Sequence, residues 1–204
     1  MMASEGVEKS DFDEYHKVQG RSSRVDLIIM LLRLLAFLST LSATLVMALD
    51  KQTKAITVAT IGTGPIKATL TANFRHNPAF VFFVIANGNA SLHNLLMLAF
   101  GFVGHKCRLT GLASFAIPVL DLMNVAIVFG GASSAAFMGH LGRHGNSHAR
   151  WSKICDKFDR FCDQAGLAMM ASFVGLLFMI IICSVFIFKL RANNHRNIKL
   201  VVVP

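Results

Sequence analysis

The chain is poor in charge and poor in reactive motifs. Only 15% of its 204 residues are charged, and 11 of them are acidic. Its four cysteines include no Cys-x-x-Cys pair, which argues against a thiol oxidoreductase. No nucleophile motif, phosphate loop or set of paired carboxylates occurs, so the sequence reads as a non-enzyme with no cofactor and no metal site.

Apolar sequence is abundant instead. Hydrophobic residues make up 54% of the chain and the mean hydropathy is +0.56, beyond the range of an ordinary soluble domain. Four apolar runs stand out: Leu27–Leu49, Ala79–Val103, Leu109–Met138 and Ala165–Phe188. At about 1.5 Å per helical residue, each is long enough to cross a hydrocarbon core of about 30 Å. The expected fold is an all-α membrane protein, a four-transmembrane-helix bundle with spans at about 25–49, 79–103, 109–138 and 165–188. The membrane domain covers 25–190, between a disordered N-terminal tail (1–24) and a C-terminal tail (191–204). The first run is too long for a signal peptide, lacks a small-residue cleavage site and follows an acidic segment.

The net charge of +9 invites a nucleic-acid reading. The basic residues are scattered through tails and loops beside apolar spans, so the lipid bilayer is the expected counter-charge and no nucleic acid is implied. Ten Lys and Arg lie in the tails and the 105–108 loop, against nine in the two longer loops. The totals barely discriminate. The density of Lys106 and Arg108 in a very short loop, and of Lys189 and Arg191 beside the last span, favours cytosolic termini.

Two ionisable residues fall inside spans. Asp121 sits near the middle of the third, where a carboxylate costs roughly 2.5–3.5 kcal/mol on insertion scales and needs a partner. Arg33 in the first span is the only opposite charge able to answer it. From the same side, Arg33 is about 12 Å deep and Asp121 about 18 Å, an offset within reach of an arginine side chain. The expectation is an intramembrane ion pair with a structural role. In the second span Asn87, Ser91 and Asn94 form one polar stripe, expected to make hydrogen bonds between helices. Asn89 and His93 fall on a different face and receive no role.

Pro78 opens the second span, and Pro118 inside the third should kink it one turn before Asp121. Ala126, Gly130 and Ser134 form a small-residue face on the third span, and Ala171 and Gly175 do so on the fourth; these are the expected helix-packing or oligomer faces. The 50–77 segment, with its β-branched alternation and Gly62–Pro65 turn, reads as a short hairpin lying on the membrane. His140, His144 and His148 recur every four residues, but Gly142 and Gly145 interrupt them, so the segment reads as loop. Cys107 at a membrane edge carries a weak acylation signal, and Cys183 reads as a packed core thiol.

Cys155 and Cys162 share the longest polar loop, which suits an oxidising exterior and a disulfide. A straight helix would separate their Cα atoms by about 10.5 Å, whereas a bridge needs roughly 4.4–6.8 Å. The Asp156–Phe161 segment must therefore turn back, with Phe158 and Phe161 packing beneath it.

The same loop, GNSHARWSKICDKFDRFCDQAG at 145–166, together with DLMNVAIVFGGASSAA at 121–136 and FVFFVIAN at 80–87, resembles the plant Casparian strip membrane protein-like family. An Arg in the first span and an Asp in the third are that family's hallmark, matched here by Arg33 and Asp121. The resemblance covers roughly 24–190. It implies a MARVEL-like tetraspan in the plasma membrane, with cytosolic N- and C-termini, that scaffolds through homo-oligomers and hetero-oligomers. The founding members build an endodermal barrier and organise lignin deposition, and carry an acidic, aromatic-rich signature in the first outer loop. Here that loop reads KATLTANFRHNPAF, which points to the broader group rather than the barrier role. The alternative is a small transporter or channel with Arg33 and Asp121 in its path. Such a protein needs a continuous polar lining, which the second span offers in part and the fourth hardly at all.

Overall fold

The computed structural model describes residues 3–61, 64–103 and 111–202, with side chains described over 24–55, 68–102 and 116–191. Four long helices carry the fold: α1 (Ala3–Leu49), α2 (Pro78–Val103), α3 (Gly111–His144) and α4 (Asp159–Val202). Each contains a stretch long and apolar enough to span a membrane, namely Arg24–Leu49, Pro78–Phe102, Ala116–His144 and Asp159–Arg191. The chain is an all-α, four-span membrane protein.

Around the bundle α1 packs against α2 and α4, and α3 packs against the same two, so α1 and α3 face each other across a diagonal. Large apolar side chains such as Leu31, Ile85, Phe129 and Leu177 point outward, as lipid-facing positions should. The interior is filled by two apolar groups. One joins Met47, Phe80, Phe83, Phe158 and Phe161. The other joins Ala36, Ala90, Val128, Leu176 and Ile182.

Between α1 and α2 lies the expected hairpin, as antiparallel β1 (Lys51–Ile61) and β2 (Gly64–Asn73) with a register shift between Thr57 and Ala59. The connecting residues of the Gly62–Pro65 turn, 62 and 63, lie outside the described residues, as do Lys106, Cys107 and Arg108. A 3-10 turn over Phe74–His76 leads to Asn77, whose side chain accepts from the Ala79 N–H at 2.9 Å. Asn77 thus caps α2, and Pro78 takes the first helical position, where its missing N–H costs nothing. The hairpin is tied to α4. Gln52 Oε1 accepts from the Phe161 N–H at 2.9 Å, while Gln52 and Lys54 both donate to Asp159.

The helices extend beyond the expected spans. The α1 backbone is helical from Ala3, so the helix reaches into the segment expected as a tail over 1–24. α4 continues past 190 to Val202. α3 runs through Gly142 to His144 rather than ending at Met138, and α4 starts at Asp159 rather than at 165. Gly145 ends α3: its φ is +70°, and its N–H donates to the Leu141 carbonyl at 2.8 Å, a left-handed C-terminal cap. Helices tolerate an interior glycine, so Gly142 alone ends nothing. His140 and His144 consequently stack on the last turn of α3 with ring centroids 4.3 Å apart, while His148 lies beyond the cap.

The intramembrane cluster and the disulfide loop

Arg33 on α1 forms a two-pronged pair with Asp121 on α3. Its Nη1 donates to Oδ1 at 3.0 Å and its Nη2 to Oδ2 at 2.6 Å. Both residues are 4% exposed, so the pair sits away from lipid and water across the bundle diagonal. The fork meets the two carboxylate oxygens with parallel bonds from two nitrogens, a planar match that lysine's single nitrogen lacks.

His93 on α2 completes the cluster. Its Nε2 lies 2.7 Å from Asp121 Oδ1. An ionised carboxylate only accepts, so Nε2 carries the proton. Phe186 on α4 covers the guanidinium, with its ring centroid 5.7 Å from Arg33 Cζ, in cation–π range. All four helices therefore meet at one charged layer. His93 is a member of the charged cluster to which the sequence alone assigns no role. The signal available was that any ionisable side chain inside a span is a partner candidate.

The polar stripe is buried as expected, with Asn87, Ser91 and Asn94 all facing inward, but its bonding differs. Only Asn87 reaches another helix, accepting from Ser172 Oγ at 2.8 Å. Ser91 and Asn94 donate to the carbonyls of Gly88 and Ala90 within α2. Short polar side chains on a helix reach their own preceding turn more readily than a neighbour. The other helix-to-helix amide bond, Asn89 to Asn124 at 3.1 Å, lies outside the expected stripe.

The small-residue faces divide. A Cβ on Gly175 would lie 2.9 Å from Thr40 Cγ2 and 3.3 Å from Ser39 Cβ, so Gly175 serves close α1–α4 packing inside the chain. Ala171 flanks the same interior. On α3 the tight position is Gly131, where a Cβ would meet the Ala86 Cβ at 2.9 Å. Gly130 has only the Phe82 ring nearby, at 3.7 Å, and Ser134 bonds back to the Gly131 carbonyl. Ala126 is exposed between Met123 and Phe129.

The cysteine expectation holds: Cys155 and Cys162 are bridged, with Cα atoms 5.7 Å apart. The turn forms because the Ile154 carbonyl accepts from both Lys157 and Phe158 before α4 begins. Phe158 and Phe161 are buried beneath it. Cys183, free among the described residues, is buried. Near the same end of the bundle Asp50 is only 3% exposed, and neither of its carboxylate oxygens has a hydrogen-bond partner among the described residues. Burial pushes its pKa from 3.8 up to about 6, partly offset by the charge of Arg160. Asp159, at the start of α4, is exposed and accepts from Lys54 and Gln52.

Four spans meeting at a buried Arg–Asp–His layer, with a disulfide-closed loop between the last two, define a multi-pass tetraspan membrane protein. The chain belongs to the Casparian strip membrane protein family: the Casparian strip membrane protein domain matches residues 22–178. Among its relatives, CASP-like protein 1B1 of Populus trichocarpa is 56% identical over 163 residues, covering 80% of this chain and 84% of its own. CASP-like protein 1B2 of Vitis vinifera is 50% identical over 192 residues, covering 93% and 94%. CASP-like protein 1B1 of Arabidopsis thaliana is 48% identical over 167 residues, covering 82% and 85%. No solved structure matches the chain.

Proposed function

We propose that this protein is a non-enzymatic scaffold of the plasma membrane. It assembles laterally with copies of itself and with family members, forms membrane subdomains and gathers partners there, including proteins that modify the cell wall. Its N- and C-termini face the cytosol, which puts the Cys155–Cys162 loop on the oxidising side.

The observation that carries this reading is the closure of the charged layer. Arg33 spends both terminal nitrogens on Asp121, and Asp121 accepts from His93 as well. Conduction needs a series of polar groups along a path. Ser91 and Asn94, the polar groups nearest in sequence on α2, are turned back onto their own helix. A self-contained layer holds four helices in register and leaves the outer faces for association. On α3 that outer face places Ala126 between exposed Met123 and Phe129, a small residue where a second helix approaches closely.

Reconstitution in sealed vesicles tests the reading against the transporter alternative. A scaffold gives no saturable flux of ions or small polar solutes. A saturable flux that Asp121→Asn abolishes overturns it.

A further inference from the structure

A cavity of about 350 Å³ lies between the last turns of α3, the loop that follows it and the first turns of α4. Its inner wall is apolar, formed by buried Phe80, Phe161 and Ala165 with partly buried Met138 and Met169. Its mouth is formed by exposed His140, Arg143, His144 and Trp151. No aspartate or glutamate lines it. The cavity therefore runs from apolar to basic across the boundary where the apolar part of α3 ends.

Its wall is held in place. The Gly142 carbonyl accepts from the N–H groups of Ile154 and Cys155, and Asn146 and Trp151 exchange a backbone hydrogen-bond pair. Both bridged cysteines line the cavity. A wall fixed in advance lowers the ordering cost of binding. Among the described residues Arg143 makes one side-chain bond, to Asp163 at 3.3 Å, between two largely exposed side chains, and a guanidinium has five N–H groups.

We infer that this cavity binds a small amphiphile with one aromatic or single-chain alkyl body and one anionic head, a carboxylate or phosphate. The body lies against Phe80, Met138 and Met169, and the head is held at Arg143. The volume is at the small end of ligand pockets, which span about 300–1,000 Å³, and it has no room for a two-chain lipid. The ligand comes either from the bilayer, as a single-chain anionic lipid, or from solution, as an aromatic or alkyl acid. The inference is independent of the scaffold reading.

Trp151 is the only tryptophan in the chain, so its fluorescence reports on the cavity. The full chain in phosphatidylcholine nanodiscs is titrated with phenylbutyrate and, separately, with the uncharged phenylbutyramide. The expected result is a saturable change of Trp151 emission with the acid, and binding of the amide at least about tenfold weaker, the scale of one charge-assisted hydrogen bond. Arg143→Gln, at an exposed position, weakens the acid to the level of the amide. A Cβ on Gly166, another lining residue, meets nothing within 4 Å, so Gly166→Leu fills the space and abolishes both titrations without disturbing the fold. In discs containing lysophosphatidylglycerol, a Trp151 signal already shifted and a raised apparent Kd assign the bilayer source; an unchanged curve assigns the soluble source. A response that never saturates, acid and amide binding alike, or wild-type titrations in both variants overturns the inference.

Discussion

His93 Nε2 and Arg33 Nη1 converge on one oxygen, Asp121 Oδ1, at 2.7 and 3.0 Å. The carboxylate is thus shared between α1 and α2 while belonging to α3. Asp121→Leu strands the Arg33 guanidinium, and the expected cost is about 3–5 kcal/mol. The double substitution Arg33→Leu/Asp121→Leu costs less than the sum of the singles. His93→Leu costs on the order of 1–3 kcal/mol, and His93→Gln, which keeps a donor, restores part of it. Equilibrium unfolding of the reconstituted variants measures each; strict additivity of the Arg33 and Asp121 singles would show that the pair is uncoupled.

Asp50 predicts a pH effect of opposite sign to the usual carboxylate. Its folded pKa of about 6 lies above its ordinary 3.8, so the folded state holds its proton more tightly. Stability from this group is greatest below about pH 4, falls as pH rises to about 6, and is flat above that. The expected loss is on the order of 2–3 kcal/mol. Asp50→Asn removes it, so the variant exceeds the wild type at pH 7 and nearly equals it at pH 4. Paired unfolding curves at the two pH values check the difference; equal gaps at both would contradict it.

The glycines separate packing inside the chain from packing between chains. Gly175→Leu and Gly131→Leu drive side-chain atoms into Thr40 and Ala86, each of which a bare Cβ already approaches to 2.9 Å. Both variants are expected to lose stability by more than about 1–3 kcal/mol, the usual cost of overpacking. Ala126→Leu, at an exposed site, should leave stability unchanged within about 0.5 kcal/mol. Unfolding of Ala126→Leu at wild-type denaturant, beside a shifted Gly175→Leu, is the expected pattern; equal losses in all three would contradict it.

These residues also show how much the sequence disclosed. The four spans were legible because apolar length needs no knowledge of packing, and Arg33 and Asp121 because charges inside spans must meet. The disulfide followed from shared loop and compartment. Gly131 was missed because Gly130 and Gly131 are adjacent and a small-residue repeat fits either phase. Only the α2–α3 crossing, which brings Ala86 against Gly131, selects one. His93 was missed for a related reason. Periodicity placed it off the Asn87 stripe, but which helix lies beside that other face is a property of the assembled bundle. The end of α3 was misjudged because Gly142 and Gly145 look alike in sequence, and only Gly145 adopts a positive φ.

The Cys155–Cys162 bridge closes a short loop, and its removal by Cys155→Ser is expected to cost about 2–3 kcal/mol by loop-closure entropy. In the proposed orientation, a membrane-impermeant thiol reagent applied to intact cells is expected to label Cys162 in that variant. The same reagent labels neither tail when single cysteines are placed there. Labelling of the tails from outside would reverse the orientation and leave the bridge on the reducing side.

Single-molecule subunit counting in a defined bilayer reads out lateral assembly itself. The expected outcome is clusters of two or more copies whose size grows with surface density, and a shift toward monomers in Ala126→Leu with membrane insertion intact. Monomers at every density for the wild type would contradict it.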